Sequence, residues 1–272
     1  MSGHQETGGD ASLVCAFAVT DSTPDDVDLV APGHEEGGPL RVLDAGGLSV
    51  VVQDVPVALF GEAALRERLE RPAELERCAR AHHRGVEAAA RRGAAVPLPL
   101  ATLYRGDGAA RRAVAARAAE FGALLDLLGD RTEWAVKAHA AEAAPGDAEP
   151  AGDGGGGRAY LGRASARNRA RQDAHGRALA EAEAVDAELR RFAVAATRHR
   201  PQGERLTGRR APQLLNAAYL VDDAARPAFT RALERIAGRG GAVTIDASGP
   251  WVPYSFARAA PAADPERTGA GA

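Results

Sequence analysis

Two adjacent histidines, His82 and His83, are the residues in this chain whose type most suggests chemistry, as metal ligands or a general base. Neighbouring positions on a helix point about 100° apart, so the pair cannot grip one metal as residues four apart do. No Ser or Cys nucleophile motif and no carboxylate pair stands near them. His82 falls on the apolar stripe Leu75, Cys78, His82, Val86 and Ala89, which reads it as a packed, hydrogen-bonded core residue and places His83 at the surface.

Cys15 and Cys78 are too few for a disulfide framework and lack the CxxC spacing of a zinc site, so both read as small core residues. Gly154 to Gly157 has the glycines of a phosphate loop but neither the following Lys-Ser/Thr nor a strand leading into it. It reads as linker. No metal ligand set and no cofactor site is expected.

Two groups suit partner binding. Arg163, Arg167 and Arg171 stand at four-residue steps on one helical face, with Arg169 and Arg177 nearby, a pattern that suits an acidic partner or nucleic acid. No aromatics interleave for base stacking, which favours a solvated face and argues against nucleic acid. Trp251, Tyr254 and Phe256 follow Gly249-Pro250 closely, in a chain with only 6 Phe, 4 Tyr and 2 Trp. They read either as a plug for the core of a second domain or as a partner-binding patch.

These residues need elements to hold them. Ser12 to Val19 is a short apolar run ahead of an acidic, turn-rich stretch, Asp21 to Pro39, and predicts a buried strand entering a loop. Leu40 to Leu43 and Leu48 to Val55 flank Asp44-Ala-Gly-Gly47, whose glycines suit the positive φ of a hairpin. Helices follow over Gly61 to Arg71 and from Pro72 to a cap at Gly93. Ala94 to Tyr104 predicts a strand, and Pro97 and Pro99, two apart, point their missing donors the same way and make it an edge or irregular strand. A helix spans Val114 to Leu128, and Glu133 to Ala138 is expected as a strand that ends the first domain.

The order β-ββ-α-β-α-β suggests an α+β domain over residues 11–139, close to a ferredoxin-like arrangement with its first helix replaced by a loop. Residues 140–157, acidic and rich in Pro and Gly, are expected as a flexible linker. A long helix from Arg158 to about His199 opens a second domain over 158–257. A strand at Gln213 to Val221, a helix with Phe229, Leu233 and Ile236 inward, and a strand at Ala242 to Ala247 complete it. Residues 258–272 are expected to be a disordered tail. Both halves share an α/β rhythm without a tandem repeat of fixed period.

At 272 residues the length fits one large domain or two, and two is the reading adopted. The composition is near globular averages, but aromatics make up only 4%, so core volume rests on few large side chains. A net charge of −3 gives no global attraction to nucleic acid or an anionic membrane. The polar opening MSGHQETGGD is unlike a secretory signal, and the longest apolar run, near Ala94 to Leu103, is shorter than the ~20 helical residues that cross a bilayer. A cytosolic protein is expected.

Several segments together resemble the gas vesicle protein F/L family. They are Leu40-Arg-Val-Leu with Leu48 to Pro56, Ala81-His-His83 with Val86-Glu-Ala, Val96 to Tyr104 and Glu133-Trp-Ala-Val-Lys137. In the second half they are Gly157-Arg-Ala-Tyr-Leu161, Leu215 to Asp222 and Gly249-Pro-Trp-Val-Pro-Tyr-Ser-Phe256. Pro99 and Val252 depart from the family pattern. The resemblance implies two α+β domains, the first modified ferredoxin-like and the second α/β with a helical excursion. It also implies a cytoplasmic, vesicle-associated accessory protein without enzymatic activity, whose partners are the hydrophobic shell protein and other accessory proteins. The rival classes are a ferredoxin-like small-molecule binding module and a metal- or base-dependent enzyme using His82.

Overall fold

The computed structural model describes residues 12–21, 29, 32–91, 93–141, 157–201 and 211–257. They form two units, with the chain passing from the first to the second between Asp130 and Arg131 and returning to the first between Trp251 and Val252. The first unit is built on β1 (Ser12–Thr20), β2 (Leu40–Asp44), β3 (Ser49–Pro56) and β4 (Ala95–Tyr104). These make one sheet in the order β2-β3-β1-β4, every pairing antiparallel. That is the strand order of a split βαβ fold, and no helix occurs among the described residues between β1 and β2. The modified ferredoxin-like reading therefore matches the first sheet.

Local sequence explains these elements. Gly46 and Gly47 take φ of 79° and 93° in the β2–β3 turn, where Asp44 Oδ1 accepts from the Gly46 N–H at 2.9 Å. β1 and β3 are buried along most of their length, and side chains that alternate across the sheet send Cys15, Phe17, Val51 and Val55 into one core with Phe60, Val86 and Ala89. The helices over that core are α1 (Val57–Phe60), α2 (Glu62–Glu70) and α3 (Pro72–Ala90), the last opened by its proline. α4 (Asp107–Ala115) and α5 (Ala118–Leu128) follow β4. The helix expected from Val114 thus begins earlier and is broken in two; the Gly, Ala and Arg of α4 give too weak an apolar stripe to reveal it.

The second unit has β5 (Arg131–Ala140), α6 (Gly157–Arg190), β6 (Ala195–Arg198), β7 (Gln213–Asp222), α7 (Arg226–Gly238) and β8 (Val243–Trp251). Its antiparallel sheet runs β6-β7-β5-β8. Counted within the unit, that is the same order of second, third, first and fourth strand as in the first unit, here with both helical crossovers present. The shared rhythm of the two halves is a shared topology. The core joins Val136, Ala138, Leu215, Tyr219 and Val243 of the sheet to Val185 and Leu189 of α6 and Phe229, Leu233 and Ile236 of α7.

Three expectations need correction. The strand around Glu133 to Ala138 does not end the first domain: β5 pairs with β7 and β8, so the division falls between Asp130 and Arg131. A strand's own sequence fixes which faces are apolar, but not which distant strand it joins. The long helix stops at Arg190: Phe192 lies in a turn and Ala196 in β6, although both continue its three- and four-residue steps in sequence. Finally, residues 252–257 belong to the first unit, not the second. The expected linker lies outside the described residues except for Ala140, Ala141 and Gly157, and the expected tail lies wholly outside them.

Candidate functional site

A groove opens in the first unit between α1–α2 and the far half of β4. The two prolines of β4 create one of its walls. Ala18 pairs with Pro97 and Ala16 with Thr102, so four residues, Leu98 to Ala101, stand opposite Phe17 alone. β4 is the last strand of its sheet, as the prolines require, and it is irregular as well. Ala101 takes a positive φ of 65°, and the Thr102 hydroxyl donates to the Pro99 carbonyl at 2.8 Å, closing the bulge as a turn. The bulge presents Ala101, Leu103 and Tyr104 toward Leu13 of β1 and toward Val57, Phe60, Leu65 and Leu69 of the helices, around a groove of about 1040 Å³. Glu62, Arg66 and Arg105 contribute charge to the lining. Val57 and Leu59 remain 37% and 36% exposed, large apolar side chains that the fold leaves in water.

Behind the groove is a closely packed histidine and aromatic cluster. His82 is 4% exposed, and its Nε2–H donates to the Leu98 carbonyl at 2.9 Å, tying α3 to the bulge. Its Nδ1 is buried with no hydrogen-bond partner, the state of a neutral imidazole, and burial lowers its pKa. The Phe17 ring lies 5.4 Å from the His82 ring and 5.8 Å from that of His34. His34 is buried beside Phe60, and its pKa is lowered to about 4, first by desolvation and then by His82. His82 is thus a core residue, as its stripe implied. His34 went unnoticed in the sequence because it lies in a stretch read only as a loop.

Gln53 supplies what places His34 there. Its side-chain oxygen accepts from the His34 N–H at 2.8 Å, and its amide donates to the carbonyls of His34 at 2.9 Å and Gly38 at 2.6 Å. A Cβ at Gly33 or Gly37 would stand 2.4 or 2.5 Å from that amide group, so both positions need glycine. Arg68, 4% exposed, pairs with Glu36 at 2.9 Å and Glu74 at 3.2 Å and lies over the Phe60 ring. Cys15 and Cys78 are buried free thiols, and desolvation pushes Cys15 up to about 12. This makes Cys15 a poor nucleophile.

The expected partner-binding residues fall in different places. Trp251 ends β8 of the second unit, 43% exposed, with its Nε1–H directed to the Ser248 hydroxyl at 3.3 Å. Tyr254 packs on the core of the first unit with Val252, and Phe256 is half-buried in a short 3-10 turn, Tyr254–Phe256. The idea that all three plug the second domain is therefore incorrect; the chain leaves that unit after Trp251. Arg163, Arg167 and Arg171 lie in the first half of α6, where every residue from Leu161 to Arg177 is exposed except Ala164, which is intermediate. Packing of α6 begins at Ala178.

Among the described residues no group of three or more His, Cys, Asp or Glu is placed to hold a metal, and no helix is long and apolar enough to cross a membrane. The geometry shows an apolar groove in the first unit and an exposed, arginine-rich stretch of α6 in the second. Comparison with known proteins agrees on one family. The model of "Gas vesicle synthesis protein GvpL/GvpF" matches residues 14–258. The chain is 39% identical over 250 residues to "Gas vesicle protein L" of Streptomyces sp. (strain CB03234), covering 90% of this chain and 92% of that one. The crystal structure of gas vesicle protein GvpF from Anabaena sp. PCC7120 is similar with a TM-score of 0.63 at 15% identity, over 92% of this chain and 99% of that one. That of GvpF from Microcystis aeruginosa gives 0.59 at 18% identity, over 92% and 100%. With a family match spanning both units and the fold shared across them, this chain belongs to the GvpL/GvpF family of gas vesicle synthesis proteins.

Proposed function

We propose that the protein acts in gas vesicle assembly as a binding component without catalysis, holding the hydrophobic shell protein and other accessory proteins so that they assemble instead of aggregating. The observation that carries this reading is the apolar groove beside the irregular edge strand β4, in a chain of this family. A shell subunit that is apolar on one face aggregates in water, and a groove lined by Leu13, Val57, Leu65, Leu69 and Leu103 suits reversible masking of such a face. The buried, neutral histidines and the buried Cys15 support packing in preference to acid–base or nucleophilic work. On this reading the protein acts in the cytoplasm, in association with the vesicles.

The test is pressure-sensitive light scattering from cells carrying the full vesicle gene cluster with and without this chain. Loss of the pressure-collapsible signal on deletion, restored by complementation, is the expected result. Unchanged scattering on deletion would overturn the assembly role.

A further inference from the structure

Three arginines in the first half of α6 lack the carboxylate partners that several other arginines of the chain have. Arg41, Arg68, Arg77, Arg131, Arg198 and Arg235 each meet a carboxylate within 3.5 Å or less. Arg163, Arg167 and Arg171 take part in no ion pair or hydrogen bond among the described residues, and no acid stands three or four positions from any of them on the helix. Like charges at four-residue spacing oppose one another and weaken the helix that carries them. The sequence keeps three in a row.

Their phase along the helix adds a second observation. Ala178, Ala182, Val185 and Leu189 are the buried face of α6, and Arg171 precedes Ala178 by seven residues, close to two turns. The arginine stripe thus continues the packed face beyond the part of the helix that the second sheet covers. At 1.5 Å per residue, Leu161 to Arg177 makes an arm about 25 Å long. Ala170 and Ala174 lie between the arginines on the same side and leave room for a close neighbour.

We infer that the first half of α6 is a docking arm for an acidic helix of a partner protein, whose carboxylates, one turn apart, pair with Arg163, Arg167 and Arg171. This rests on the reading of the chain as a binding component and names a second surface for it, distinct in chemistry from the apolar groove. The spacing favours a helical partner because residues four apart repeat by about 6 Å on both helices. The stripe offers no aromatic for a base to stack on, which turns the choice away from single-stranded nucleic acid.

The test uses the full chain and a fluorescent alanine-based peptide of about 20 residues with Glu at every fourth position, read by anisotropy at about 50 mM salt. R163E/R167E/R171E is expected to weaken binding at least about tenfold. R91E/R112E/R231E, the same charge change at exposed arginines outside the arm, is expected to stay within about twofold. Far-ultraviolet circular dichroism of both variants checks that the helix persists. No binding by the parent chain, equal loss in both variants, or tighter binding of single-stranded DNA than of the peptide would overturn the proposal. A failed peptide test beside a clear deletion phenotype in the vesicle assay overturns the arm alone, whereas unchanged scattering on deletion overturns the assembly reading.

Discussion

The Tyr254 hydroxyl and His83 Nδ1 lie 3.1 Å apart, joining positions 171 residues distant in sequence within the first unit. His83 Nε2 lies 3.2 Å from the Glu87 carboxylate, so the ring is held between tyrosine and glutamate. The first unit is therefore completed by residues that follow the whole of the second. Val252 and Tyr254 pack against its core cluster, to which Val86 and Ala89 belong.

Removing that contact should act on the first unit. Tyr254→Phe is expected to cost about 1 kcal/mol for the lost hydrogen bond, and Tyr254→Ala about 2–3 kcal/mol with the lost packing. Both tryptophans, Trp134 and Trp251, lie in the second unit, so their fluorescence reports on that unit. In urea titrations of Tyr254→Ala, the midpoint read by circular dichroism should fall more than that read by tryptophan emission. A larger fall in the tryptophan transition would contradict the assignment.

Gln53 should be the most sensitive polar residue of the first unit. Leucine in its place leaves the buried His34 N–H without a partner and the His34 C=O with only the Gly37 N–H, a loss of about 2–4 kcal/mol by chemical denaturation. Gly37→Ala should fall in the same direction, since its Cβ meets the same amide at 2.5 Å. Gly46→Ala has open space but a positive φ of 79°, and should cost only about 1 kcal/mol.

How much of this was visible beforehand follows from what is local. Pro97 and Pro99 mark an edge strand because a missing donor is a property of the residue itself, and Gly46-Gly47 mark the hairpin for the same kind of reason. His82 was legible through its stripe. The allocation of β5 to the second sheet, the four-residue β6 and the return of Tyr254 to the first unit all depend on pairing across long sequence distances. No periodicity encodes them. The candidate groove was half legible: its irregular edge strand and the helix over Gly61 to Arg71 were foreseen, but not that the two face one another, since Val57, Leu65 and Leu69 look like any apolar residues of a helix.

The neutral histidines predict a pH dependence with a definite sign. His34 has a folded pKa near 4 against an ordinary value of 6.5, so the unfolded chain binds more protons between those values. Stability should be fully present above about pH 6.5 and fall as pH drops toward 4, by up to about 3 kcal/mol from this residue. His34→Gln should lower stability at pH 7 and flatten the slope between pH 6.5 and 4.5 relative to the parent, measured as urea midpoints across the range. A parallel slope in both proteins would mean that other groups govern it.

In the second unit Asp186 is the counterpart. It is 3% exposed and accepts from the Tyr219 hydroxyl at 2.6 Å, from Arg190 at 2.8 Å and from Arg198 at 2.6 Å. Burial opposes its ionisation, but the hydrogen bonds from Arg190, Tyr219 and Arg198 outweigh this and hold its carboxyl below the ordinary range. Asp186→Asn should cost about 3 kcal/mol, and Tyr219→Phe about 1.5 kcal/mol, both in the tryptophan-monitored transition. The two substitutions share one hydrogen bond, so the double variant should lose less than the sum of the singles.

The groove and the exposed Trp251 make competing predictions about shell-protein binding. Val57 is 37% exposed, so Val57→Glu should change stability by less than about 1 kcal/mol while placing a charge among the apolar side chains of the groove. Trp251, at 43% exposed, should tolerate Trp251→Ala about as well. If the groove holds the shell protein, Val57→Glu weakens co-purification of the two by about tenfold or more and Trp251→Ala leaves it nearly unchanged. The opposite ranking would move the binding surface to the end of β8. Because neither substitution is expected to unfold its unit, circular dichroism matching the parent lets the comparison separate a lost surface from a lost fold.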